Sequence, residues 1–189
     1  MILRALLFFL LQVWTFPQQY IYQGSIGKFN NASSFHINSA GFLYITDSGN
    51  NDVYKMDTLG KIIKTTGGYG WAEATFDNPL HIFATALSIY VTDKNNHRIQ
   101  RFDKDLNPIS SLSTRDNDDP NSRFGYPLSC VISAQGDMFI LDSENKRILK
   151  FDLFGNFIQN FGGYDYGKYA LNNPIAMAGD QNNNLYVVD

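Results

Sequence analysis

Four short apolar segments ending in aspartate recur along the chain: Leu43-Tyr-Ile-Thr-Asp47, Ile89-Tyr-Val-Thr-Asp93, Phe139-Ile-Leu-Asp142 and Leu185-Tyr-Val-Val-Asp189. Their final aspartates, at 47, 93, 142 and 189, lie 46, 49 and 47 residues apart. A period in the high forties built on short apolar strands points to a propeller blade or a related solenoid unit and argues against a sandwich. The near-continuous apolar character of each segment predicts burial on both faces, as when a sheet is held between two neighbours.

The same chemistry follows each of the first three aspartates. Asp93-Lys-Asn-Asn96-His-Arg98-Ile99 and Asp142-Ser-Glu-Asn145-Lys-Arg147-Ile148 are near copies, and Asp47-Ser-Gly-Asn50-Asn-Asp52-Val53 diverges from them. Asn and Gly tolerate the left-handed backbone of a tight hairpin, and Asp accepts hydrogen bonds from the turn's own amides. The next strand ends at a second aspartate, Asp57, Asp103 or Asp152, and an outer strand follows. Because the Asp47/Asp57, Asp93/Asp103 and Asp142/Asp152 pairs recur in every unit, they read as turn caps; a catalytic acid and base are needed only once.

Two outer strands run into Gly67-Gly68 and Gly162-Gly163, and the following loops end in Phe76-Asp-Asn-Pro79, Phe124-Gly-Tyr-Pro127 and Leu171-Asn-Asn-Pro174. Proline opens a strand where no ladder amide is required. The fold class is therefore all-β, a propeller of four-stranded blades with repeats at about 32–78, 79–126, 127–173 and 174–189. The segment from Tyr20 to Gly27 reads as an outer strand with no inner strands before it. Residues 20–189 are thus expected to form three full blades with partial blades at both ends, an incomplete ring.

The first residues read as a targeting segment, with Arg4 followed by the apolar run Ala5-Leu-Leu-Phe-Phe-Leu-Leu-Gln-Val-Trp14. The run is shorter than the roughly 20 apolar residues that span a bilayer. A secretory signal peptide over residues 1–16 is expected, or an uncleaved anchor, since no pair of small residues marks a cleavage site. Apart from that anchor no transmembrane segment is expected. On the secretory route Asn31, in Asn31-Ala32-Ser33, becomes an N-glycosylation acceptor. The lone Cys130 sits among Leu128, Val131 and Ile132 and reads as a buried thiol. A net charge of −3 supplies no basic field for phosphates, so no nucleic-acid partner is expected.

Taken together, the Asn-Pro opening, the apolar-Tyr-apolar-x-Asp strand, the D-x-x-N-x-R-I turn, the Phe-Asp strand end and the double glycine resemble the NHL repeat family. The resemblance covers nearly everything from about Tyr20 onward and implies a six-bladed ring. Where that motif has Arg98 and Arg147, the first copy has Asp52, so the arginine's contact is not expected there. Low-density-lipoprotein-receptor-type propellers are the rival on the strength of Tyr44-Ile-Thr-Asp47.

The resemblance implies two further readings. One is a peptidyl-hydroxyglycine lyase, whose central zinc is held by histidines from several blades. Here His81 stands two residues after Pro79, His36 falls in a different register and His97 lies in a hairpin turn, so the three do not form one ring-facing set. The other is an intracellular ubiquitin ligase or RNA regulator, which the leader and the acidic charge oppose.

Asp116-Asn-Asp118-Asp119 has the oxygen-rich composition of a calcium loop without the EF-hand glycine and terminal glutamate, and reads as a solvated acidic loop. Tyr69, Trp71, Tyr164 and Tyr166 follow the double glycines on inter-blade loops, the usual place for recognition aromatics. Asp116, Asp118 and Asp119 join them as candidate ligand-binding residues, whereas Asp47, Asp93, Asn96, Arg98, Asp142, Asn145, Arg147 and Asp189 are the structural repeat set. No catalytic residue, metal or cofactor is assigned. The expected function is a secreted or cell-surface scaffold that binds a protein, peptide or glycan on the loop face.

Overall fold

A computed structural model describes residues 24–180 and 182–189. Among them the first blade is the antiparallel sheet β1 (Ala32–Ile37), β2 (Leu43–Asp47), β3 (Asp52–Met56) and β4 (Ile62–Gly67). The second is β5 (Pro79–Ala84), β6 (Ser88–Asp93), β7 (Arg98–Asp103) and β8 (Pro108–Leu112). The third is β9 (Pro127–Ile132), β10 (Met138–Asp142), β11 (Arg147–Phe151) and β12 (Phe157–Phe161). β13 (Ala176–Gly179) and β14 (Leu185–Val188) form a two-stranded fourth sheet. Strand order within each sheet follows chain order, and the first strands lie side by side from blade to blade, β1 on β5, β5 on β9 and β9 on β13. The architecture is an arc of propeller blades with the ring unclosed among the described residues.

The leader, residues 1–16, and positions 20–23 of the expected first outer strand lie outside the described residues. Gly24 to Gly27, the described part of that segment, carry no strand. Gly24 and Gly27 both have positive φ, 151° and 76°, which interrupts an extended run.

Two-sided burial shows most clearly in β2 and β6, every residue of which is buried. Along each second strand alternate side chains pack forward and backward. Tyr44 and Val53 of blade one join Ile82, Ile89, Val91 and Phe102 of blade two in one cluster. Tyr90 and Ile99 of blade two meet Cys130, Ile140, Leu149 and Phe151 of blade three. Val131, Leu141 and Ile148 then meet Met177 of the fourth sheet. Cys130 is buried and free, and burial pushes its thiol up to about 12.

A hydrogen bond at a fixed register ties each first strand to the next. Ser34 Oγ accepts from the Ile82 amide at 3.3 Å, His81 Nδ1 from the Cys130 amide at 3.5 Å, and Ser129 Oγ from the Met177 amide at 3.3 Å. The first strand is the inner edge of its sheet, so its outward amides have no ladder partner and take a side chain from the preceding blade instead.

Candidate binding face

The β2–β3, β6–β7 and β10–β11 hairpins emerge at one end of the blades, together with the loops that lead into each following blade. The capping aspartates join the two. Asp47 accepts from the amides of Asn30 and Asn31 at 2.9 and 2.7 Å and from the Asn50 side chain. Asp93 accepts from the Asp77 amide at 2.8 Å, Asn96 Nδ2 at 2.9 Å and Arg98 Nε at 2.7 Å. Asp142 accepts from the Gly125 amide, Asn145 Nδ2 and Arg147 Nε. Asp189 accepts from the amides of Asn172 and Asn173. Each carboxylate therefore holds the loop that leads into its own blade. Burial pushes the Asp93 carboxyl up against the opposing pull of the Asp77 amide, Asn96 and Arg98. At the far end of the blades Asp57, Asp103 and Asp152 each cap their own turn, as in the bonds from the Leu59, Asp105 and Phe154 amides.

Arg98 extends the clamp. Its Nη1 donates to the Trp71 carbonyl at 2.8 Å, and its Nη2 donates to those of Ala72 and Thr75 at 3.0 and 2.8 Å. Arg147 holds the carbonyls of Pro120 and Arg123 in the same way. Asp52, in the arginine position of the first blade, instead accepts from the Gly68 amide and the Tyr54 hydroxyl.

Hairpins also reach forward from the left-handed residue before the third strand, Asn51, His97 or Lys146, with φ of 58°, 51° and 52°. Asn51 Oδ1 accepts from the Asn78 amide, and His97 Nδ1 from the Tyr126 amide at 3.1 Å. The Lys146 ammonium lies 5.8 Å from the Tyr164 ring centroid.

The loop backbones are thus fixed while their aromatics face outward. Tyr69 is 73% and Trp71 67% exposed, although the loop is closed by the bond from the Gly70 amide to the Phe76 carbonyl. Tyr164 and Tyr166 lie on a short 3-10 helix, Tyr164–Tyr169. Tyr164 is 70% exposed; Tyr166 is 41% exposed, its hydroxyl donating to the Asn160 carbonyl. The two aromatic pairs stand on loops separated by two whole blades, the second and the third. Tyr169, 70% exposed, belongs to the same surface and was missed in the sequence, where only the pair next to the double glycine draws attention.

Between them lies the acidic loop, pinned by Arg123 Nε on the Asn117 carbonyl and by Arg115, which reaches both His97 and Glu144. Asp119 caps the Asn121 amide, while Asp116 and Asp118 are exposed. Among the described residues no three His, Cys, Asp or Glu side chains converge as a metal site. His36 stacks edge-on against Phe83 at 5.0 Å and lies near His81, whereas His97 stands apart in its hairpin turn. Asn31 is exposed, its side-chain amide donating to Ser48 Oγ. No described helix is long and apolar enough to cross a membrane.

Comparison with known proteins places these features. The family model of the NHL repeat matches residues 82–102, from the first strand of blade two to the end of its third. The brain tumor protein of Drosophila melanogaster is 29% identical over 129 residues, which is 65% of this chain and 12% of that protein. The virginiamycin B lyase of Staphylococcus aureus superposes with a TM-score of 0.60 at 19% identity, covering 82% of this chain and 47% of that one. The hydrazine synthase of Kuenenia stuttgartiensis superposes at 0.62 and 14% identity, covering 87% and 44%. The chain spans less than half of each of these proteins, and the two structural likenesses are of fold alone. The matched NHL repeat lies in blade two, and the same turn and strand chemistry recurs in the blades on either side, so the comparisons support an NHL-repeat β-propeller.

Proposed function

We propose that this propeller is an exported binding scaffold that recognises a protein, peptide or glycan through its inter-blade loop face. The observation that carries the reading is the combination at residues 69–75, where Arg98 fixes three backbone carbonyls while Tyr69 and Trp71 remain exposed. Aromatics on an already ordered loop bury area on binding at little further entropic cost, the property that makes such residues hot spots. Export is supported by the apolar leader behind Arg4 and by the exposed acceptor Asn31.

The test is a screen of the exported protein against peptide and glycan arrays, repeated with Tyr69, Trp71 and Tyr164 changed together to Ala. Loss of binding with an unchanged melting temperature supports the proposal. A ligand that binds the triple variant as tightly as the parent refutes it.

A further inference from the structure

The joints between blades are not equivalent at the end of the propeller opposite the loop face. Three cations occupy one register, cross-strand from the forward aromatic of the second strand: Lys55 opposite Tyr44, Arg101 opposite Tyr90 and Lys150 opposite Phe139. Lys55 is buried and bonded to Asp105 at 2.7 Å, and Lys150 is bonded to Asp137 at 2.7 Å. Among the described residues Arg101 has no carboxylate partner; its Nε donates to Ser88 Oγ at 3.0 Å, and its terminal nitrogens hold no acceptor there.

The reason lies in the next blade. The turn that closes the first joint supplies Asp105 to Lys55 and the Lys104 carbonyl to the Tyr44 hydroxyl, at 2.7 Å. The matching turn of blade three has Leu153 and Phe154 at the positions of Lys104 and Asp105, so it offers no carboxylate, Phe154 being 80% exposed. Both Arg101 and the Tyr90 hydroxyl are left without the partners that their counterparts have. They line an open cleft of about 640 Å³ together with Phe83, Val131, Ile132 and Phe139. The carboxylate on its far side, Asp180, is engaged by its own turn, accepting from the Asn182 and Asn184 amides and the Tyr186 hydroxyl.

We infer that this cleft binds a carboxylate carried on an apolar body, the anion meeting Arg101 and the Tyr90 hydroxyl and the body resting on Phe83, Val131 and Phe139. Such a ligand supplies the carboxylate that Asp105 provides at the first joint. A guanidinium fork matches that anion in geometry as well as charge. The site lies on the face away from the loops and does not depend on their role.

The experiment is calorimetric titration of the full chain with 3-phenylpropionate and, in parallel, its neutral amide. Saturable binding of the carboxylate alone is expected, weakened at least about tenfold by Arg101→Gln, the loss of one charge-assisted contact. Phe154→Asp, an exposed and fold-neutral change, restores the missing carboxylate and is expected to abolish binding. Acetyl-Ala-Phe with a free or amidated terminus separates the sources: binding of the free form assigns a peptide C-terminus, and failure of both assigns a small organic acid. The inference is overturned if the amide binds as well as the acid, if Phe154→Asp binds like the parent, or if no acid saturates the protein.

Discussion

Arg98 donates through Nε to a fully buried carboxylate oxygen of Asp93 at 2.7 Å while its other two nitrogens hold the preceding loop. Removing one member of a buried ion pair strands the other charge and costs about 3–5 kcal/mol. Arg98→Ala is expected to lower stability by that amount in denaturant melts. Arg98→Lys keeps the charge but loses the fork, and is expected to recover stability without restoring protease resistance in residues 71–75.

Acid sensitivity follows from the histidine joints. Burial and the neighbouring His36 hold His81 down at about 4, against 6.5 in an exposed chain. Burial and Arg115 lower His97, with Glu144 opposing them. Each Nδ1 accepts an amide hydrogen and must stay unprotonated to do so. Above pH 6.5 folded and unfolded chains are both neutral at these rings, and the stability is fully present. As pH falls from 6.5 toward 4 the unfolded chain takes up protons that the folded one refuses, and stability falls, by on the order of 3 kcal/mol for His81. His81→Ser, which copies Ser34 and Ser129, is expected to remove most of that slope in melts across pH 4–7.

The loop aromatics divide by their anchoring. Tyr69→Ala, Trp71→Ala and Tyr164→Ala are expected to shift stability by about 0.5 kcal/mol or less, the usual range for exposed sites. Tyr90→Ala, at a side chain packed between blades, is expected to cost about 3–5 kcal/mol. Tyr166→Ala falls between, since it removes a hydroxyl anchor worth about 1 kcal/mol. Thermal melts of the five variants side by side check the ranking.

If the leader directs export, protein recovered from eukaryotic medium is expected to carry one glycan at Asn31. Endoglycosidase treatment lowers its mass, and Asn31→Gln abolishes the shift. Replacing the side chain also removes its bond to Ser48, an exposed contact, so folding is expected to survive.

The blade plan was legible because it rests on local chemistry repeated in register: a capping aspartate, a turn asparagine and a strand-opening proline at Pro79 and Pro127. The joints were not. Ser34, His81 and Ser129 share one role but not one residue type, and the role exists only once adjacent sheets are stacked. The sequence separated His81 from the other histidines but could not supply its partner, an amide 49 residues away. Arg101 was invisible for the same reason, its distinction being that Phe154 stands in the next blade where the preceding joint has Asp105. Asp52 was the opposite case, since departure from a repeated arginine marks the first hairpin as different from its letters alone.

The loop over residues 68–76 hangs from Asp93 and Arg98, so it is structurally the property of the blade that follows it. A transferable cassette of this propeller therefore does not coincide with one four-stranded sheet. It opens just after one double glycine and carries its leading loop along, and chimeras spliced at the strand-opening prolines would cut every loop away from the side chains that shape it.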